Sequence, residues 1–229
     1  MARLLIVLIP LILLAIWLPD WWVRRTMAHY SEPADRYHGS GAQLARLLLD
    51  RHGLPDVKVE ATERGDHYDP QARAVRLSSH NYEKHSLTAV TVAAHEVGHA
   101  IQHAEGYVPL QTREHLVRLA TAGQRLGAMI MVAVPVITVI TRHPAPGLVF
   151  IVAGLLSMGL AALVHLVTLP TEMDASFRRA LPMLEKGRYL HESDYPHARR
   201  ILEAAAMTYV AQSLMSLLNI AAWLRFLRR

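Results

Sequence analysis

Ala93-Ala94-His95-Glu96-Val97-Gly98-His99-Ala100-Ile101-Gln102 is the stretch that decides how the rest of the chain is read. It carries the spacing H-E-x-x-H. On a helix, residues i and i+4 lie one above the other on the same face, with Cβ atoms about 6 Å apart. His95 and His99 can therefore offer two imidazole nitrogens to one tetrahedral Zn²⁺. Glu96 stands beside the first ligand, placed to take a proton from a zinc-bound water whose pKa the metal lowers to about 7. The helix is expected to start near Ser86 and end near Gly106, with Pro109 beyond. Leu87, Ala89, Val90, Val92, Ala93 and Ala94 make its first turns apolar nearly all round, so it is expected to be buried. Lys84, His85, His103 and Glu105 flank it closely, which leaves its apolar run too short to cross a bilayer.

The chain around it has 229 residues, 52% of them hydrophobic and 19% charged, a balance that points to membrane segments rather than one large soluble core. The net charge is +5, and the basic residues cluster beside apolar runs. Membrane orientation explains that pattern better than nucleic acid, which is not an expected partner. There is no cysteine, so any metal must take His, Asp or Glu ligands.

Working outward, Leu4 to Leu18 is nearly all aliphatic and leads into Trp17, Trp21, Trp22 and Arg24-Arg25 without a cleavage site of small residues. Residues 1–23 are expected to form an N-terminal anchor, with 3–23 as its transmembrane helix. Residues 24–122 form the region that carries the metal helix. Within it, Ser40 caps an amphipathic helix bearing Leu44, Leu47 and Leu48, and Gly53 stops it. Val57–Ala61 and Ala74–Ser78 read as paired strands. Gly65-Asp66-His67-Tyr68-Asp69-Pro70 is turn chemistry between them, so His67 and Asp69 are read first as parts of a hairpin connection. The sharper alternative sets this hairpin beside the metal, its open edge holding an extended peptide by strand addition.

Residues 123–169 read as a transmembrane hairpin, Leu126–Thr141 and Leu148–Leu169, with Pro170 ending the second span. Residues 170–203 are polar again, and 204–229 read as a C-terminal transmembrane or interfacial helix. A hairpin returns the chain to the face it left, so the metal helix and residues 171–203 can share one site. Both are rich in Arg and Lys, which places that site on the cytoplasmic face of a multi-pass protein of the inner cell membrane.

A catalytic zinc needs a third protein ligand. A third histidine at metzincin spacing would fall at Glu105, and Gln102 stands where that pattern has glycine. His103 shares a face with His95 but lies about 12 Å along the axis from it, too far to reach the same ion. The best candidates lie in Leu169-Pro170-Thr171-Glu172-Met173-Asp174-Ala175-Ser176, with Glu172 preferred and Asp174 as the alternative. The carboxylate not used would accept a hydrogen bond from a ligand imidazole. The alternative, that both are first-turn acids favoured by a helix dipole, is weakened because the hairpin brings this stretch to the face of the metal helix. His165, two turns before Glu172, is a candidate for stabilising an oxyanion or for packing between helices. His103 is read as backing the site or lying at the surface. Arg178, Arg179 and Tyr209 are further oxyanion candidates.

Asp66-His67-Tyr68-Asp69-Pro70, Val75-Arg76-Leu77-Ser78, the H-E-x-x-H stretch and Leu169-Pro170 through Glu172 to Ala175-Ser176 together resemble the YugP-like bacterial membrane zinc metallopeptidases, called putative neutral zinc metallopeptidases. The resemblance covers nearly the whole chain. It implies a gluzincin-like membrane peptidase with His95, His99 and Glu172 as metal ligands and Glu96 as general base. The chain is also distantly similar to membrane peptidases of the HtpX and Ste-twenty-four type, which carry a longer Glu-x-x-x-Asp motif than Glu172-x-Asp174.

The expected fold is therefore mainly α, an integral membrane protein of three to four transmembrane helices with a gluzincin-like zinc peptidase core and a small β-hairpin or sheet. The expected activity is that of a zinc endopeptidase with one Zn²⁺ per chain. Polypeptides at or in the membrane are its substrates and the lipid bilayer its partner. Two alternatives stand beside it. A site-two-type intramembrane protease would place H-E-x-x-H inside a span and draw its third ligand from an Asp-Gly, but no Gly follows Asp174. A non-catalytic zinc-binding membrane scaffold would have no use for the intact Glu96.

Overall fold

Capping chemistry fixes the ends of the two helices that build the core. In a computed structural model, which describes residues 18–19, 21–142, 145–207 and 209–210, residues 21–30 form a helix, α1. Helix α2, Gly41–Arg51, starts on a capping box. The Ser40 hydroxyl accepts from the Gln43 N–H, and the Gln43 side chain accepts from the Ser40 N–H. The chain leaves this helix through Gly53 at φ 71°. The short helix α3 covers Ser79–Glu83, and α4, Leu87–Ala104, begins on Ser86, whose hydroxyl accepts from the Ala89 N–H. Gly106, at φ 67°, turns the chain out of α4. The metal helix thus has the bounds its caps predict, and its side chains from Leu87 to Ala94 are all buried.

The sheet differs from the expected hairpin. Strands β1, Lys58–Thr62, and β3, Ala74–Ser78, are both present but run parallel, with Val59 opposite Val75. The antiparallel partner of β3 is β2, His67–Asp69, inside the stretch expected to be only a turn, and the strand order is β1-β3-β2. The chain reverses twice rather than once. Gly65 at φ 85° makes the first reversal and Arg73 at φ 48° the second. Asp69 Oδ1 holds the latter by accepting from the N–H groups of Gln71 and Ala72. Asp66 anchors the segment, accepting from the Ser78 N–H and hydroxyl and from Asn81.

Helices α5, Val108–Thr141, and α6, Ala145–Met173, follow. Pro170 does not end α6 but lies within it. The helix passes directly into a π-helix over Asp174–Ala180, then α7, Leu181–Gly187, a 3-10 turn over Glu192–Asp194 and a last helix, α8, over residues 195–207. Two compact units result. Among the described residues, one comprises those up to Tyr107 together with those from Leu169 to Tyr209; the other comprises Val108 to Thr168 and Val210. The first holds a core of Leu48 and Leu49 from α2, Val75 and Leu77 from β3, Val97 from α4, Leu184 from α7 and Ile201 from α8. It also contains every residue of the site described below.

The membrane architecture expected from composition is overturned: among the described residues, no helix is long and apolar enough to cross a membrane. A crossing helix needs about 20 consecutive predominantly apolar residues. Arg113, Glu114, Arg118 and Arg125 lie along α5, and too few positions follow Arg125 before Thr141. Helix α6 closes on His165, Thr168, Thr171 and Glu172. The expected first and fourth spans lie largely outside the described residues. The reading of three to four transmembrane helices therefore falls. With it fall the multi-pass inner-membrane location and the cytoplasmic face derived from it.

Candidate metal centre

Helix α4 can bring its histidines close to the π-helix because residue 98 has no side chain. A Cβ at Gly98 would stand 2.8 Å from the carbonyl oxygen of Ala175. The two backbones touch there, and the last turn of α6 is drawn over the histidine face. Glu172 consequently lies 3% exposed with Oε2 at 3.1 Å from Nε2 of His95 and 3.3 Å from Nε2 of His99. Ligand atoms of the three side chains all fall within 4.8 Å of one another, so the group can hold a metal ion.

The spacing suits zinc. Zn–N and Zn–O bonds of about 2.0–2.1 Å in a tetrahedron separate neighbouring ligand atoms by roughly 3.3 Å, which the two Glu172 distances match. The tautomers suit it as well. Nδ1 of His99 donates to Oε1 of Gln102 at 2.9 Å, and Nδ1 of His95 lies 3.1 Å from the Ser176 hydroxyl. Both Nε2 atoms are thereby turned toward Glu172. Burial pushes the Glu172 carboxyl up. His99 and His95 outweigh it and hold the group well below the usual carboxylate range, in the ionised form a metal requires.

Glu96 sits on the same turn but points into a cavity of about 210 Å³, whose lining includes His95, Glu172, Asp66, Val92 and Tyr209. Burial pushes its carboxyl up to about 7, against the pull of His95 and of a hydrogen bond from the Tyr68 N–H on β2. Strand β2 therefore contacts Glu96 through its backbone.

Asp174 does not face the histidines directly. Its Oδ2 accepts from Gln102 Nε2 at 2.8 Å and from Arg179 Nε at 2.7 Å. It supports His99 at one remove, through the Gln102 amide. The π-helix makes this possible, since its wider i→i+5 pitch separates Asp174 and Ser176 and turns both toward α4. Gln102 and Ser176, rather than a carboxylate, make the imidazole contacts. The signal for Gln102 was available: it stands three residues after His99, on the same helix face.

The remaining candidates are dispersed. His103 is hydrogen-bonded through Nδ1 to the Tyr68 hydroxyl at 2.8 Å and lines a different cavity. His165 lies half-buried on α6 in the second compact unit. His67 Nδ1 donates to the Gly65 carbonyl, and Asp69 pairs with Arg76. Arg179 is committed to Asp174 and Glu105, and of the three oxyanion candidates Tyr209 lines the cavity at Glu96.

Comparison with known proteins agrees with this chemistry. Residues 4–228 match the family described as "Putative neutral zinc metallopeptidase". Among curated proteins, the "Putative membrane protease YugP" of Bacillus subtilis (strain 168) is 34% identical over 201 residues, covering 86% of this chain and 85% of the relative. No solved structure shows a significant match.

Proposed function

The chain belongs to the putative neutral zinc metallopeptidases, and on that premise we propose that it is an endopeptidase in which His95, His99 and Glu172 hold one Zn²⁺ and Glu96 moves the proton. The observation that carries this reading is the convergence of Glu172 Oε2 on both Nε2 atoms, with Glu96 opening into the adjoining cavity. When bound, the ion supplies Lewis acidity, lowering the pKa of a water and polarising a carbonyl. The protein supplies the rest. Ser176 and Gln102 hold the imidazoles in orientation, and Glu172 contributes the negative charge. Glu96 accepts a proton from the attacking water and returns it to the leaving amine.

Tyr209, on the cavity wall, is placed to donate a hydrogen bond to the oxyanion. β2, at the edge of the sheet and bonded to Glu96 through Tyr68, offers a rail for an extended polypeptide.

The test is a pair of measurements on purified protein. Glu96→Gln should retain one zinc per chain and lose hydrolysis of an unfolded protein substrate by about 10²–10⁴-fold. His95→Ala and Glu172→Ala should each lose zinc. Full hydrolysis by Glu96→Gln with zinc bound would remove Glu96 from the mechanism. Zinc retained by Glu172→Ala would remove Glu172 from the ligand set.

A further inference from the structure

A second cavity, of about 410 Å³, shares no residue with the metal centre. Arg51, Arg178, Arg179 and Lys186 line it, with Glu105 the one carboxylate among them. Arg179 is already engaged: Nε donates to Asp174 at 2.7 Å and Nη1 to Glu105 at 2.8 Å. The other three cations are not. Arg51 stands over the Tyr189 ring at 5.3 Å, and among the described residues no ion pair involves Arg51, Arg178 or Lys186.

Like charges gathered round one concavity repel each other and focus a positive potential within it. An anion entering the concavity is attracted by all of them at once. The guanidinium fork matches the geometry of phosphate, and the ammonium adds a point charge. The volume falls within the range of small-molecule sites, and the Tyr189 ring gives the wall an apolar surface for the carbon part of a ligand.

We propose that this cavity binds a small phosphate-bearing anion, with Arg51, Arg178 and Lys186 as its charge partners. Glu105, 60% exposed at the rim, competes with that anion for Arg179. The inference does not depend on the assignment of the metal centre.

Isothermal titration calorimetry of the whole chain with inorganic pyrophosphate tests it. Lys186→Glu and Arg178→Glu should each weaken binding at least about tenfold, and Glu105→Gln should tighten it several-fold. Pyrophosphate also ligates zinc, so the titration is repeated in His95→Ala, where the affinity should persist. Absence of binding at millimolar pyrophosphate overturns the proposal. Unchanged affinity in both charge reversals, or loss of binding in His95→Ala, does the same. Displacement of pyrophosphate by phosphatidylglycerol vesicles but not by phosphatidylcholine vesicles identifies a lipid headgroup as the source of the phosphate. Failure of both to displace it identifies a free phosphate compound.

Discussion

Nδ1 of His99 donates to Oε1 of Gln102 at 2.9 Å, and the other end of the same amide donates to Asp174 and to the Thr171 carbonyl, both at 2.8 Å. Gln102 is fully buried, so each of these bonds is made without competition from water. An amide is the side chain that can accept at one end and donate at the other. Gln102→Ala should lower zinc affinity about 10–100-fold, the usual cost of removing a partner behind a ligand imidazole. Gln102→Glu should cost more, since it sets one buried carboxylate against Asp174. A competition titration against a chromophoric chelator reads both, and wild-type affinity in Gln102→Ala would show that His99 holds its tautomer without help.

Gly98 meets Ala175 at a distance that no β-carbon tolerates. Gly98→Ala must push the π-helix away from α4, and Glu172 moves with it. Ordinarily a glycine inside a helix gains about 1 kcal/mol on change to alanine. Here overpacking against backbone should reverse the sign and destabilise the fold by about 1–3 kcal/mol. Denaturant unfolding checks the first effect and zinc titration the second. A stabilised Gly98→Ala protein that binds zinc normally would contradict the close contact.

The parts of this molecule legible in its sequence are those governed by local rules. Ser40, Ser86, Gly53 and Gly106 bound their helices where cap and stop chemistry predicts, and the i, i+4 spacing puts His95 and His99 on one face. What the sequence hid depends on contacts between distant segments. Strands Val57–Ala61 and Ala74–Ser78 alternate the same way whether they pair parallel or antiparallel; β2 between them decides, and three residues are too few to show a period. Pro170 reads as a helix end, yet tertiary packing carries the helix past it and widens its pitch into the π-helix. Hydropathy overreached: Leu126–Thr141 and Leu148–Leu169 are apolar on average, yet among the described residues no helix is long and apolar enough to cross a membrane.

Asp194 is buried and receives two hydrogen bonds from Arg36, at 2.6 and 2.7 Å, and one from the Tyr37 hydroxyl. Burial pushes its carboxyl up, but these donors outweigh burial and the net shift is downward. A carboxyl whose pKa is lower folded than unfolded adds stability above its unfolded value, about 3.9. That stability is lost as pH falls from there through the folded value. Thermal stability should therefore decline below about pH 4 more steeply in the wild type than in Asp194→Asn. The variant should be the less stable protein at pH 7. Melting curves from pH 7 down to pH 2 test this, and parallel curves for the two proteins would remove Asp194 from the acid response.

Zinc held by the proposed ligands His95, His99 and Glu172 would stabilise the fold, because Glu172 lies far in sequence from the two histidines of α4 and the unfolded chain cannot present all three together. At a free zinc concentration of a hundred times Kd, linkage gives about 2.7 kcal/mol, which is on the order of 5–10 °C in Tm for a chain of this size. Chelation should lower the Tm of the wild type by that amount, and added zinc should restore it. Glu96→Gln should behave like the wild type, since Glu96 does not hold the ion. Glu172→Ala and His95→Ala should show no zinc-dependent shift at the same concentration. A shift that survives Glu172→Ala would mean that the ion is held elsewhere, whatever the activity measurements show.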